Sequence, residues 1–399
     1  MPEAVIVATA RTPIGRANKG SLIECRPDDL SALIIQAVLA KAPQLDPSQV
    51  EDVIWGCGQP AGEAGTNVAR VASLLAGVDS PGVTVNRYCS SSLQTIRMAA
   101  HAIKAGEGDV FISGGVETVS RFMNGMADGG PVNEKFSAAR QRTKARSAGD
   151  QPSWTPGTGL ADVYISMGET AENVAEAENV SREEMDEFGA RSQQLAVQFQ
   201  ENGFLDREIT PVTLADGTVV SKDDGPRAGT TVEKLATLKP VFRPNGKVTA
   251  GNACPLNDGA AAVIVMSDTK AKELGLTPLA RIVASGVSSI NPEIMGLGPI
   301  EACRQALKRA NMTIDEIDLV EINEAFAAQV LPSAKHLGIP LEKLNVHGGA
   351  IALGHPFGMT GARIMTTLIN GLQTEDKRFG LESMCVGGGQ GMAMIIERL

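Results

Sequence analysis

Apolar and polar positions recur in the same order in two parts of this chain. Residues 4–8 form a β-rich apolar run, residues 29–40 carry apolar side chains at helical spacing, and residues 50–56 form a second strand-like run. The same order returns in residues 280–284, 300–310 and 317–322. Short apolar runs predict strands, and a period of three to four residues predicts helices. The pattern therefore predicts an internal repeat.

Each predicted half continues with a helix and closes with a strand. The helices are predicted at residues 93–104 and 361–372, and the closing strands at residues 109–115 and 381–385. Strands that alternate with helices favour mostly parallel sheets covered by helices. We expect an α/β fold in which two similar halves pack together.

The middle of the chain breaks this pattern with loops rich in glycine, proline and charge, followed by an acidic helical stretch that begins near Ser181. Ser181 and Glu184 have the spacing of a capping box. A long insertion of this kind forms either a lid over a site or a poorly ordered surface excursion. We predict a lid domain at residues 119–250, an N-terminal half at 1–118 completed by 251–277, and a C-terminal half at 278–399.

Composition narrows the functional classes. The 399 residues are 43% apolar, enough for a large core, and carry a net charge of −10, which disfavours nonspecific nucleic-acid binding. The first residues lack the basic region of a signal peptide, and no uncharged apolar stretch is long enough to span a bilayer. We therefore expect a cytoplasmic protein without membrane insertion. The basic run Arg140, Arg142, Lys144 and Arg146 is either a solvated surface or a patch for a phosphorylated cofactor.

Cysteine and histidine spacing argues against a metal centre. Six cysteines are scattered without a Cys-x-x-Cys pair, and four histidines form neither a His-x-x-x-His nor a His-Glu-x-x-His pattern. The sequence thus favours a reducing compartment without a disulfide framework, and it predicts no metal site.

Two of these cysteines follow apolar runs and enter stretches of very small residues. Cys89 precedes three serines at the predicted start of a helix, where free amides would favour a thiolate, and Cys385 precedes three glycines. A thiolate attacks carbonyl carbon well, and the amides of Cys89 and Gly387 are candidates for an oxyanion hole. The alternative is that both thiols are inert and buried.

His355, held between Gly354 and Pro356, is the candidate base, and His347 is its competitor. Asn323 follows a buried-looking strand, where it would orient a water or polarise a carbonyl, or serve as a helix N-cap. Two thiols and an imidazole indicate acyl transfer on a thioester.

Ordered motifs over nearly the whole chain resemble the thiolase family, at residues 11–15, 86–94, 167–173, 249–260, 323–327, 348–356 and 385–389. The resemblance implies a five-layer α-β-α-β-α fold and CoA-dependent cleavage of 3-ketoacyl-CoA, or the reverse condensation. It implies that Cys89 is acylated, that His355 activates it and that Cys385 exchanges a proton. Asn323 would hold a water that forms one oxyanion hole with His355, and the amides of Cys89 and Gly387 would form the other.

The resemblance also assigns a CoA channel, with Met167 near the acyl group. The other channel residues would be Arg227, Ala250, Cys254, Met295, Ala325 and Phe326. CoA would be a co-substrate beside acyl-CoA, with no prosthetic group. A homodimer or homotetramer and a role in fatty acid β-oxidation are further expectations.

Four positions depart from the usual family pattern. Ser92 and Cys254 stand where glycine and serine are usual, His347 stands where asparagine is usual, and Ser166 replaces the histidine of acetoacetyl-specific members. Alternative functions are an acetoacetyl-CoA-specific acetyltransferase, a ketoacyl-synthase-like condensing enzyme and a non-catalytic acyl-CoA or lipid-binding protein. Cys385 speaks against the condensing enzyme, because those proteins generally use histidine or asparagine there.

Overall fold

The computed structural model describes residues 2–149 and 154–399. The strands in these ranges are β1 (Ala4–Arg11), β2 (Gly15–Arg16), β3 (Asp52–Gly56), β4 (Gly82–Val85), β5 (Val110–Thr118), β6 (Val212–Thr213), β7 (Val219–Val220), β8 (Asn257–Ser267), β9 (Ala280–Ser289), β10 (Leu319–Ile322), β11 (Phe379–Val386) and β12 (Gln390–Arg398). The α-helices are α1 (Pro27–Ala40), α2 (Val68–Leu75), α3 (Ser91–Ala105), α4 (Ser137–Ser147), α5 (Met167–Ala177), α6 (Arg182–Glu201), α7 (Val232–Ala236), α8 (Asp268–Glu273), α9 (Gly298–Ala310), α10 (Ala327–Leu337), α11 (Ala350–Leu353) and α12 (Thr360–Thr374).

The main sheet contains the predicted repeat. Its strand order is β10-β11-β12-β9-β1-β8-β5-β3-β4, with β2 paired to β8. The order β1-β8-β5-β3 in one half matches β9-β12-β11-β10 in the other, and the halves join where β1 pairs antiparallel with β9. The prediction of two similar α/β halves is confirmed.

The expectation of mostly parallel sheets is wrong. Among the strands named above, those that pair parallel are β3 with β4, β3 with β5, and β10 with β11, whereas β8 and β12 pair antiparallel with both of their main neighbours. The reason is connectivity, since a short glycine turn links β11 directly to β12 without a crossover helix.

Alternation of side chains along the strands creates five layers. In β3, Val53 and Trp55 pack in the cluster that contains α1 and α2, whereas Ile54 packs in the cluster of α3 and α12. In β12, Met394 faces that same middle cluster, whereas Ile395 packs with α9 and α10. Helix α12 contacts strands of both halves. Helix α3 packs on strands of the N-terminal half and reaches β9 through hydrogen bonds from Arg97 and Lys104, so the two helices form the middle layer of an α-β-α-β-α arrangement.

The two middle helices cross at close range beside Cys89. A side chain at Gly361 would approach the backbone nitrogen of Leu93 to 2.4 Å, so only glycine fits there. Ser92 Oγ accepts a hydrogen bond of 2.9 Å from the amide of Ala362. The serine that departs from the family pattern thus links the helix of one half to the helix of the other.

Residues 119–250, called the lid here, contain α4 to α7 and the small β6-β7 pair. The capping box at Ser181 and Glu184 is present at the start of α6. Buried ion pairs from Arg11 to Glu208 (2.9 Å) and Asp223 (2.8 Å) tie the lid to β1. The domain boundaries given above remain predictions.

Within residues 2–149 and 154–399, no helix combines the length and the apolar character needed to cross a membrane. In that same part of the chain, no group of three or more His, Cys, Asp and Glu side chains is arranged to hold a metal ion.

Candidate active site

Cys89 lies in a strained turn between β4 and α3. Tyr88 has a φ of 44°, rare for a side chain of this size. The turn is held because the Tyr88 amide donates to Asn86 Oδ1 (2.8 Å) and Ser91 Oγ donates to the Tyr88 carbonyl (2.7 Å). This geometry fixes Cys89, which is 7% exposed, two residues before the helix start at Ser91.

The Cys89 thiol is protonated at rest. Burial raises its pKa to about 12, although hydrogen bonds from the amides of Gly387 and of Cys89 itself act in the opposite direction. These amides favour the thiolate, as expected, but desolvation outweighs them and keeps the thiol protonated. Cys89 needs a base at the moment of attack.

His355 is a neutral imidazole whose hydrogen bonds assign its tautomer. Thr360 Oγ1 donates to the Pro356 carbonyl (2.7 Å), so it accepts from Nδ1–H of His355, 2.7 Å away. The proton on Nδ1 leaves Nε2 as the basic nitrogen. Burial, with Arg363 nearby, lowers the pKa of His355 to about 3. Nε2 therefore carries no proton across the physiological range.

Asn323 lies against this basic nitrogen, with its Nδ2 3.3 Å from His355 Nε2. Its amide donates to the Ser383 carbonyl and its carbonyl accepts from Gln329 Nε2, which fixes the backbone at the end of β10. Asn323 Oδ1 is buried without a hydrogen-bond partner among the described residues. The N-cap alternative is wrong, because α10 begins at Ala327 with Phe326 in the cap position.

His347 occupies a different environment. Its ring stacks on Phe204 at 4.1 Å between centroids and meets Phe199 edge-on at 4.6 Å. The buried face of α6 and the following turn thus enclose it, and burial lowers its pKa to about 4. This packing favours His355 over His347 as the base.

Cys385 brings a second thiol to the site from the end of β11. It is fully buried, and burial raises its pKa well above its ordinary value, with further rises from Cys89 and Cys254. Gly388 and Gly389, both at φ near 80°, form the turn into β12. A side chain at Gly387 would lie 3.5 Å from the Tyr88 ring and 3.7 Å from Met167 Sδ. The structure therefore brings Cys89, Cys385 and Gly387 together.

Glu117 is a buried carboxylate that the sequence patterns did not single out. It accepts hydrogen bonds from the amides of Gly58 (2.8 Å), Gln59 (3.1 Å) and Gly358 (2.9 Å), joining loops of both halves. Burial raises its pKa to about 7 against these donors, and its charge acts on Cys89. The available signal was an acidic residue at the end of a strand that is otherwise apolar and small.

A cavity of about 400 Å³ opens over Cys89. Gly387 and Met167 line its floor with Cys89, and Phe357, whose ring meets His355 edge-on at 5.3 Å, forms one wall. The lid covers it with Tyr164, Arg140 and neighbouring residues. Volume and lining suit a small acyl group.

The predicted CoA residues divide into two groups. Ala325 accepts from the amide of Cys254 (3.0 Å), and Met295, Ala325 and Phe326 pack in the same cluster as Cys385. Cys254 also influences the ionisation of Cys385, so this group lies beside the reactive thiols.

Arg227 and Ala250 lie outside the Cys89 cavity. Arg227 lines a separate groove of about 610 Å³ along α6, and Ala250 is exposed in a turn. Their proposed contacts with CoA remain predictions.

The chain matches known proteins over its length. Residues 4–269 match the family described as "Thiolase, N-terminal domain" and residues 276–398 match "Thiolase, C-terminal domain". With full coverage of both chains, it is 44% identical to a β-ketoadipyl-CoA thiolase of Acinetobacter baylyi, 44% identical to a 3-ketoacyl-CoA thiolase of Idiomarina loihiensis and 45% identical to a 3-oxoadipyl-CoA/3-oxo-5,6-dehydrosuberyl-CoA thiolase of Escherichia coli. The crystal structure of the Bacillus anthracis acetyl-CoA acetyltransferase aligns with a TM-score of 0.86 at 40% identity, covering 100% of this chain and 99% of that one. The chain therefore belongs to the thiolase family.

Proposed function

We propose that this protein cleaves 3-ketoacyl-CoA with CoA, and that the acyl group passes through Cys89. The observation that carries the proposal is the meeting of two thiols from different halves, with the Gly387 amide against the Cys89 sulfur. The neutral imidazole of His355, which packs edge-on against Phe357 of the cavity wall, is our candidate for the base. These groups suffice for two acyl-transfer steps.

In the first step, the Cys89 sulfur bonds to the 3-keto carbon while its proton moves to His355 Nε2. The bond between C2 and C3 then breaks, its electron pair stays on C2, and the Cys385 thiol protonates that carbon to release acetyl-CoA. The amides of Cys89 and Gly387, and Asn323 with His355 through a water, are our candidates for the donors that stabilise each oxyanion.

In the second step, the thiol of free CoA gives its proton to the Cys385 thiolate and attacks the acyl carbon. The bond to Cys89 breaks, and the departing sulfur takes the proton back from His355. The cycle involves no net oxidation or reduction, so it needs no redox cofactor. CoA serves as co-substrate, and we propose no prosthetic group.

The substrate class is the finer part of the proposal. The relatives include a 3-ketoacyl-CoA thiolase and a β-ketoadipyl-CoA thiolase at equal identity. Identity alone therefore does not favour a role in fatty acid β-oxidation over a role in the degradation of adipyl-type chains. Ser166 at the start of α5, in place of histidine, weighs against strict acetoacetyl-CoA specificity. We propose a short to medium 3-ketoacyl group.

Assembly and location are also proposals. The edge strand β4 pairs on one side only and exposes 37% of Val83, which supports a homodimer or homotetramer built through that edge. We propose a cytoplasmic location on the sequence pattern alone.

Purified protein incubated with CoA and either acetoacetyl-CoA or 3-ketohexanoyl-CoA tests the activity by chromatography of the CoA thioesters. We expect acetyl-CoA and the shortened acyl-CoA in equal amounts, and none from Cys89→Ala. Binding of acyl-CoA without cleavage by the wild-type protein would support the non-catalytic alternative instead.

A further inference from the structure

The basic side chains on α4 differ in whether they have a hydrogen-bond or ion-pair partner. Arg142 donates to the Leu160 carbonyl (2.7 Å), and Arg146 lies 3.5 Å from the carboxylate of Glu293. The side chain of Arg140 makes no hydrogen bond or ion pair to any group within residues 2–149 and 154–399, and it lines the cavity that contains Cys89. It is the arginine of this run that remains available to a ligand.

The position of Arg140 is set by a buried anchor. Glu293, 1% exposed, accepts from Trp154 Nε1 (2.7 Å) and from the amide of Asp162 (3.0 Å) in addition to facing Arg142 and Arg146. A single carboxylate therefore holds three segments of the lid against the C-terminal half. Helix α4 is fixed above the cavity, and Arg140 with it.

The rest of the cavity wall is apolar or neutral, apart from one carboxylate. Tyr164 accepts from the amide of Asn133 (3.3 Å) and retains its hydroxyl proton for donation. Asp128 is the negatively charged residue of the cavity wall. The side chain of Gln59 donates a hydrogen bond to the Asp128 carboxylate and accepts one from the Asp128 backbone amide. The Arg140 guanidinium and the Tyr164 hydroxyl therefore lie on the lid side of the cavity that has Cys89 at its floor.

We propose that Arg140 binds a carboxylate at the far end of the acyl chain, so that this protein prefers 3-ketoacyl-CoA substrates that end in a carboxylate. The inference rests on the proposed acyl transfer at Cys89, because the acyl chain must run from that sulfur toward the lid. A planar guanidinium pairs well with a carboxylate, which accepts two hydrogen bonds at once. A chain that ends in a methyl group would leave Arg140 without a partner.

Because Arg140 is exposed, solvent screens the pair and its effect is moderate. The experiment compares kcat/KM for 3-ketoadipyl-CoA and 3-ketohexanoyl-CoA, which share a six-carbon chain and differ at its end. We expect the wild-type protein to favour 3-ketoadipyl-CoA by about tenfold. For Arg140→Gln we expect that advantage to vanish through a higher KM, with 3-ketohexanoyl-CoA changed by less than about threefold.

Matched variants separate recognition from general damage. Lys144→Gln removes an exposed cation from the same helix outside the cavity, and we expect both substrates to keep their wild-type rates. Arg140→Lys keeps the charge without the planar fork and is expected to retain part of the preference. Asp128→Asn removes the opposing charge and is expected to strengthen the preference for 3-ketoadipyl-CoA.

The outcomes are distinct. Equal cleavage of both substrates by the wild-type protein, or an equal loss on both in Arg140→Gln, overturns the carboxylate inference and leaves the proposed activity intact. Cleavage of neither substrate overturns the proposed activity and the inference together. A preference of Arg140→Gln for 3-ketoadipyl-CoA as large as that of the wild-type protein would assign the recognition to other residues.

Discussion

The two halves of the molecule place different chemical groups at equivalent points. Cys89 precedes α3 in the N-terminal half, and His355 precedes α12 in the C-terminal half. Near the end of the next strand, Glu117 lies opposite Gly259 in β5-β8, and Cys385 lies opposite Gly391 in β11-β12. The same framework therefore places chemical groups at four equivalent points, two in each half, and Cys89 among them lines the cavity.

The environments of the strand-end positions differ. Glu117 accepts hydrogen bonds from backbone amides in loops of both halves and so holds these loops together, and it is called the clamp here. Cys385 instead lies beside the thiols of Cys89 and Cys254. The N-terminal half uses its strand-end position to hold loops together, and in the proposed mechanism the C-terminal half uses the matching position for proton transfer. Repeated structure thus sets where groups sit, and burial and neighbours set what each one does.

Of changes at the two strand-end positions, removing the Cys385 thiol has the largest expected effect. We expect Cys385→Ala to lower the overall thiolysis rate by about a thousandfold, because the departing carbon loses its proton donor. The acyl group should still reach Cys89 slowly and persist there, as intact-protein mass measurements would record. Cys25→Ala, at a half-buried thiol on another surface, is the control and should keep full activity. Full thiolysis by Cys385→Ala would contradict the division of roles.

An intermediate effect is expected at the clamp. Glu117→Gln replaces one acceptor oxygen with a donor, so at least one of the three amides loses its partner. We expect roughly tenfold lower kcat and a loss of about 1–3 kcal/mol in the free energy of unfolding, measured by urea denaturation. Glu107→Gln, on an exposed carboxylate, is the control.

The same variant carries a pH signature. The folded-state pKa of Glu117 is raised from 4.5 to about 7, so the stability of its neutral form is fully present below about pH 4.5 and is lost as pH rises through about 7. Glutamine has no such loss. The stability difference between wild type and Glu117→Gln should therefore shrink between about pH 4.5 and pH 7, and a constant difference would place Glu117 in a solvated environment.

The smallest expected effect concerns His355. Because burial lowers its pKa to about 3 from 6.5, acylation of Cys89 should show no inflection near 6.5. Any change near pH 7 should come from Glu117, whose charge acts on Cys89, and should disappear in Glu117→Gln. Rapid-quench measurements of acylation by acetyl-CoA would test this. An inflection near 6.5 that persists in the variant would mean that His355 titrates in its ordinary range.

Local patterns in the sequence predicted the repeat, the capping box at Ser181 and the candidate nucleophile. Each depends on residues close together in the chain or on motifs with strict spacing. The antiparallel return of β12 was missed because periodicity reports the type of an element and not the direction of its partner. The raised pKa of Cys89 could not be predicted for a related reason, since desolvation comes from residues that are distant in the sequence.

Glu117 and Arg140 show the same limit at the site. An acidic residue after a strand and an arginine in a basic run are common, and neither pattern reveals a partner in the other half of the chain. Glu117 acquires its role from the Gly358 loop, and Arg140 from the anchor at Glu293. Such contacts appear only when the lid and both halves are assembled.

The most direct test is to identify the acylated residue. Protein mixed with 3-ketohexanoyl-CoA in the absence of free CoA, quenched in acid and digested, should yield a butanoyl group on the peptide that contains Cys89, and Cys89→Ala should yield none. An acyl group on Cys385 or Cys254, or steady thiolysis by Cys89→Ala, would contradict the proposed role of Cys89.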